Sequence, residues 1–212
     1  MRKEDFLRRV RSGLDGVEKT QVDVPPDWRA DVDDLLERFG LELAAAGGFF
    51  HRCDESGVAS SLRDILAAHQ RPLVLVARED GVPAIVDEVV GEVGGRVLSW
   101  PDVTREDAAA ADVGVTSALW GVAETGSVLL TSAPPGGRAP SLLPTVHVAI
   151  LPASRLLGSI AELFECIASL PERPSNLVVA TGPSKSGDIE NELVTGVHGP
   201  KAAHVIVVTP GA

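Results

Sequence analysis

Within eight residues, Thr181-Gly182-Pro183-Ser184-Lys185-Ser186-Gly187-Asp188 gathers three hydroxyls, one ammonium and two glycines. Hydroxyls and an ammonium suit an anion, and glycine lets a ligand approach the backbone closely. If a helix follows, its first turn adds unpaired N–H groups and the positive end of its dipole. Asp188 and Glu190 oppose this use, because carboxylates in a first turn stabilise the helix themselves and repel a bound anion. A serine-capped loop with an acidic first turn is the competing account of the same residues.

A second set of reactive side chains lies upstream. Glu124 precedes Thr125-Gly126, a pair suited to a tight turn before a strand at 128–131. A carboxylate at such a strand end can serve as base, nucleophile or ligand anchor, or simply be solvated. Residues 132–144 hold four prolines, two glycines and a single charge, Arg138. A guanidinium on a proline-stiffened loop suits bidentate contact with a carboxylate or phosphate. A surface pairing with one of the many acidic residues is the alternative. His147 falls between valines on a strand at 145–151, facing opposite to Val146, Val148 and Ile150. It reads as a hydrogen-bonded core residue.

The elements that position these groups follow from periodicity. Phe6, Val10 and Leu14 make one apolar helical stripe. Residues 16–24 read as a linker. Asp27 caps a second helix, carrying Trp28, Val32, Leu35, Leu36, Phe39 and Leu43, that stops at Gly47-Gly48. A third helix covers 58–69. From residue 73, strands at 73–77, 96–100 and 113–117 alternate with helices at 83–90 and 105–111, the pattern of an α/β domain with a largely parallel sheet. A long amphipathic helix spans 154–170. The spacing predicts a final βαβ unit with strands at 177–180 and 204–208 and a helix over 186–195. That unit puts residues 181–184 at the carboxyl end of a strand, where open α/β sheets hold ligands. A helix of this length is about 15 Å long, which places His198 at the far end, away from the site. The division expected is a helical segment at 1–70 and an α/β domain at 71–212.

The net charge of −11 argues against nucleic acid or an anionic membrane as the main partner. Cys53 and Cys166 match no metal or redox spacing, and scattered carboxylates give no metal site. The charged amino terminus has no signal-peptide core, and no apolar run reaches a membrane-spanning length. A cytoplasmic protein without a membrane span is expected.

The segments AETGS at 123–127, RAPSLLPTVHVAI at 138–150, TGPSKSGDIE at 181–190 and GVHGP at 196–200 resemble, in order, the LUD-domain family of lactate-utilisation proteins. The resemblance implies a three-layer α/β/α fold around a mainly parallel sheet, similar to the superfamily of ribose-phosphate isomerase, glucosamine-phosphate deaminase and coenzyme A transferase. It also implies oxidation of L-lactate to pyruvate beside two partners, an iron–sulfur protein and a cysteine-motif protein. The chain has neither a cysteine cluster nor a G-x-G-x-x-G stretch, so no cofactor of its own is expected. Two functions are open. In one, the chain is a subunit or accessory protein whose crevice binds a small organic acid; Glu124, Arg138, Thr181, Gly182 and Ser184 line it, and Thr125, Gly126, Ser141 and Asp188 from the same motifs complete the set. In the other, it is a stand-alone isomerase or acyl/CoA-transfer enzyme with Glu124 as nucleophile or base.

Overall fold

A computed structural model describes residues 2–17, 34–77, 82, 84–132, 137–172, 174–187 and 193–211. Helix α1 (Lys3–Ser12) precedes α2 (Leu35–Ala45), β1 (Phe49–Asp54), α3 (Val58–Leu66) and β2 (Leu73–Ala77). Then come α4 (Ile85–Glu92), β3 (Arg96–Trp100), α5 (Arg105–Ala109), β4 (Val113–Ser117), β5 (Trp120–Val122) and β6 (Ser127–Thr131). The remaining elements are α6 (Ala139–Leu142), β7 (Val146–Pro152), β8 (Leu156–Leu157), α7 (Ile160–Ala168), β9 (Leu177–Ala180), β10 (Lys185–Gly187), β11 (Leu193–Thr195) and β12 (Ala202–Thr209).

Six strands form a parallel sheet in the order β1-β12-β7-β4-β2-β3. Strands buried on both faces read as unbroken apolar runs, as VLV in β2 and VAIL in β7 do. On one face, α3 and α4 pack Leu62, Leu66, Val86 and Val90 against Val74, Val115, Val148 and Ile206. The other face takes α2, through Phe39 and Leu43, and α5 beside Leu75. Helices on both faces of a mainly parallel sheet are the expected α/β arrangement.

A second sheet, in the order β8-β5-β6-β9, was not foreseen. It lies over the α2 face of the main sheet, where Val128 and Leu130 share a cluster with Leu151 and Val207. Leu163 of α7 covers its far side against Val122 and Leu129. Strands β6 and β9 were expected as strands but not in a separate sheet, and β5 and β8, three and two residues long, are too short for their alternation to stand out from loop.

Several expectations change. The second helix is capped by Asp34, whose Oδ1 accepts the Leu36 and Glu37 N–H groups; Asp27, Trp28 and Val32 lie outside the described residues, as does 18–24 of the expected linker. Strand β1, unforeseen because FFHRCD mixes apolar and polar side chains, pairs with β12 and extends the main sheet, so the first seventy residues supply a strand as well as helices. The long helix at 154–170 begins only at Ile160, where Ser159 caps it by accepting the Glu162 N–H. The terminal βαβ unit is absent. β9 runs antiparallel to β6 in the small sheet, and residues 185–187 and 193–195 form the antiparallel pair β10 and β11 where a helix was expected.

Candidate functional site

The antiparallel pair β10 and β11, in place of that helix, changes where the motifs meet. The chain turns back on itself, so Ser184 N–H donates to the Pro200 carbonyl at 2.9 Å and Gly196 N–H to the Ser184 carbonyl at 2.9 Å. His198 therefore comes beside residues 181–184 and not to the opposite end of the sheet. A cleft of about 280 Å³ is lined by Ser141 and Leu142, His147, Thr181 to Ser184, and His198 to Pro200, with Leu130, Val178, Ala180 and Ala203 as its apolar floor. A neighbouring cleft of about 440 Å³ shares Leu142, His198 and Gly199 and adds Thr145 and Lys201. His198 thus stands on the ridge between two recesses, with hydroxyls on one side and an ammonium on the other.

The cleft lies at the amino ends of β7 and β12, marked by His147 and Ala203, and not at the carboxyl ends where parallel sheets usually hold ligands. The expected placement rested on β9 belonging to the parallel sheet, which it does not. The helix-dipole anion site also lapses, because a strand, β10, follows Ser184.

His147 is buried and shares a 2.9 Å hydrogen bond between its Nε2 and Thr116 Oγ1 on β4. Burial first, and then the nearby His204, lowers its pKa from 6.5 to about 4. The ring is neutral at physiological pH and offers the cleft a dipole, not a charge. On the opposite face, His51 Nε2 and His204 Nδ1 share a 3.0 Å hydrogen bond, and Phe49 stacks on His204 with ring centres 4.6 Å apart. Burial, and then His51, lowers the His204 pKa to about 4.

A hydroxyl chain ties two of the motifs together: Thr125 Oγ1 to Ser127 Oγ at 2.7 Å, and Ser127 Oγ to Thr181 Oγ1 at 2.6 Å. Ser127 is buried and was missed as a site residue, although it stands in the AETGS segment. Gly126 and Gly182 also have a packing role. Both have positive φ, 63° and 64°. A methyl group on Gly126 would meet the Leu43 nitrogen at 2.1 Å, and one on Gly182 the Ala46 carbonyl oxygen at 2.6 Å. Together they seat the carboxyl end of α2. Lys185 completes that seat, its Nζ donating to the Ala46 carbonyl at 2.5 Å. A cation at a helix carboxyl terminus is favourably placed, so this ammonium supports the end of α2.

Glu124 and Arg138 stand outside this cleft. Glu124 Oε2 accepts the Ile160 N–H at 3.0 Å, closing the first turn of α7, and Glu124 does not line the cleft. Arg138 is exposed at the amino end of α6 and is absent from the cleft wall. Its neighbour Gly137 lies against the Trp100 indole at the carboxyl end of β3, whereas Ser141 lines the cleft while its hydroxyl donates to the Arg138 carbonyl at 3.1 Å. Asp188 lies outside the described residues. Of the expected residues, Ser141, Thr181, Gly182 and Ser184 gather around the cleft. His147 and His198 join them. The signal for His198 was present in GVHGP, but the helix expected at 186–195 set it aside. Among the described residues no group of three or more His, Cys, Asp or Glu side chains could hold a metal ion.

The LUD-domain family model matches residues 72–208, which include all of this cleft. Lactate utilization protein C of Bacillus subtilis (strain 168) is 30% identical over 228 residues, covering 96% of this chain and 95% of that protein. The protein of the same description from Bacillus licheniformis is 31% identical over 229 residues, covering 97% and 95%. That of Halalkalibacterium halodurans is 46% identical over 107 residues, covering 49% of this chain and 46% of that protein. Among solved structures, a DUF162 family protein from Deinococcus radiodurans superposes with a TM-score of 0.61 at 23% identity, covering 82% of this chain and 96% of that one; this likeness concerns the fold. The chain belongs to the LUD-domain family, and the full-length relatives bearing the description lactate utilization protein C share its layout from end to end.

Proposed function

We propose that this chain serves in lactate utilisation as a cytoplasmic subunit or accessory protein of an L-lactate-oxidising complex, and that the cleft around His198 receives a small hydroxy or keto acid. Near-full-length similarity to lactate utilization protein C supports the pathway. The convergence of Ser141, Thr181, Ser184 and His198 on one small recess supports the site. A three-carbon acid needs few contacts. The Thr181 and Ser184 hydroxyls donate to its carboxylate, the His198 imidazole adds a further donor, and the apolar lining of Leu130, Val178 and Ala180 takes its methyl group.

Oxidation of lactate releases two electrons and two protons, and the two cysteines of this chain cannot ligate an iron–sulfur cluster. On this reading the electrons pass to a carrier on another subunit, a need that an iron–sulfur protein with a cysteine-motif protein fits. The stand-alone isomerase or acyl-transfer reading loses ground because the Glu124 carboxylate accepts the Ile160 N–H and stands outside the cleft.

Calorimetric titration of the purified chain, alone and with its co-purified partners, with L-lactate and pyruvate tests the site. Saturable binding, weakened about tenfold or more in His198→Ala through loss of one charge-assisted or neutral hydrogen bond, supports it. Absence of binding in both preparations, or an unchanged affinity in the variant, removes the cleft from the function.

A further inference from the structure

Helix α1 has no buried residue. Phe6, Leu7 and Val10 are 50%, 37% and 46% exposed, and Leu14 and Val17 just beyond its end are 60% and 62% exposed. The apolar stripe of this amphipathic helix faces outward, and among the described residues nothing buries it.

The charges around that stripe say what kind of surface fits. At about 100° per residue, Phe6, Val10 and Leu7 fall within one arc of about 100°. Lys3 lies inside this arc at the helix start, where its stem can follow the apolar face while its ammonium reaches outward. Arg9 borders one side and Arg11 the other, with the Glu4 carboxylate about 20° beyond Arg11 at the helix start. Asp5 turns well away and meets Arg8 at 3.5 Å. Apolar side chains edged on both sides by cations are what an interfacial helix presents to anionic headgroups.

The net charge conceals this. The first seventeen residues hold five basic and three acidic side chains, whereas residues 18–212 hold fourteen basic and twenty-seven acidic ones. The basic end is thus set apart from an acidic body. A second copy fits less well. Two helices of ten residues, each about 15 Å long, bury far less than the roughly 1,200–2,000 Å² of a stable interface.

We propose that α1 is an interfacial anchor that lays Phe6, Leu7 and Val10 into an anionic lipid surface, with Lys3, Arg9 and Arg11 at the headgroups, and holds the acidic body beside the membrane. This does not depend on the cleft binding an acid.

Flotation of the full chain with vesicles of phosphatidylcholine, with or without phosphatidylglycerol at about 30%, tests the anchor, and binding is expected to be at least about tenfold stronger to the anionic vesicles at low salt and to weaken several-fold near 0.5 M salt. Phe6→Asp with Val10→Asp abolishes the binding. Arg9→Glu with Arg11→Glu removes the preference for anionic lipid. Neither pair touches the core, so unchanged circular dichroism of the body separates anchoring from folding. No flotation, equal binding to both vesicles, or binding indifferent to Phe6→Asp with Val10→Asp overturns the proposal. So does light scattering that shows a dimer dissolved by the same substitutions, which would assign the stripe to a second copy.

Discussion

Gly126 stands so close to Leu43 that a methyl group on it would overlap the Leu43 amide, 2.1 Å away, and Gly182 holds the same relation to Ala46 one turn further along α2. Two glycine motifs, separated by more than fifty residues, thus grip the end of one helix. Gly126→Ala and Gly182→Ala are each expected to destabilise the fold by at least ~2 kcal/mol, combining positive-φ strain with a backbone clash. Urea denaturation midpoints measure this. Near-wild-type midpoints would show that α2 is not seated there.

Lys185 belongs to the same grip. Lys185→Met keeps much of the stem and removes the donor to the Ala46 carbonyl. The expected loss is about 1 kcal/mol, the value of one exposed charge-assisted hydrogen bond at a helix end. Ligand affinity of the cleft should stay as in the wild type, whereas a ligand-contacting lysine would lose both.

Glu124→Gln tests the helix-terminus role against an acid–base role. The amide oxygen of glutamine can still accept the Ile160 N–H. Stability is expected to fall by less than about 1 kcal/mol, and Glu124→Ala by about 1–2 kcal/mol, the cost of a lost cap. Lactate-dependent growth should persist with Glu124→Gln; loss of growth with normal stability would return Glu124 to the chemistry.

Acid should weaken the fold through His147. Its native pKa, about 4, lies below the ordinary 6.5, so between these values the unfolded chain binds a proton that the native chain refuses. Stability is therefore highest above pH 6.5 and falls as the pH drops toward 4, by up to about 3 kcal/mol for this fully buried group. His204 acts with the same sign. His147→Gln, which can keep a hydrogen bond to Thr116, should flatten part of the slope between pH 6.5 and 4.5 in paired denaturation curves. Parallel curves for variant and wild type would show that His147 is not the group responsible.

Arg138→Lys is expected to leave acid binding within about twofold, since an exposed residue outside the cleft contributes little. A large loss by calorimetry would bring the guanidinium back to the ligand.

The sequence by itself determined the parallel sheet, because strands buried on both faces read as continuous apolar runs, as LVLVA of β2 and VAIL of β7 do, alternating with helical segments. It also determined the family, since four segments fall in the family's order, and the stripes of α1 and α2, since a helical period of 3.6 is a local property. The tertiary structure decided what those segments do. Whether Ser184 meets a helix or a returning strand depends on hydrogen bonds to Pro200 and Gly196, twelve to sixteen residues away, which no local pattern encodes. The use of Gly126, Gly182 and Lys185 depends on a helix at residues 35–45, and that of Glu124 on the Ile160 amide. Hydroxyls, glycines and charges advertise polar contact wherever they occur. Only the packed chain determines whether that contact is made to the protein's own backbone or left for a ligand.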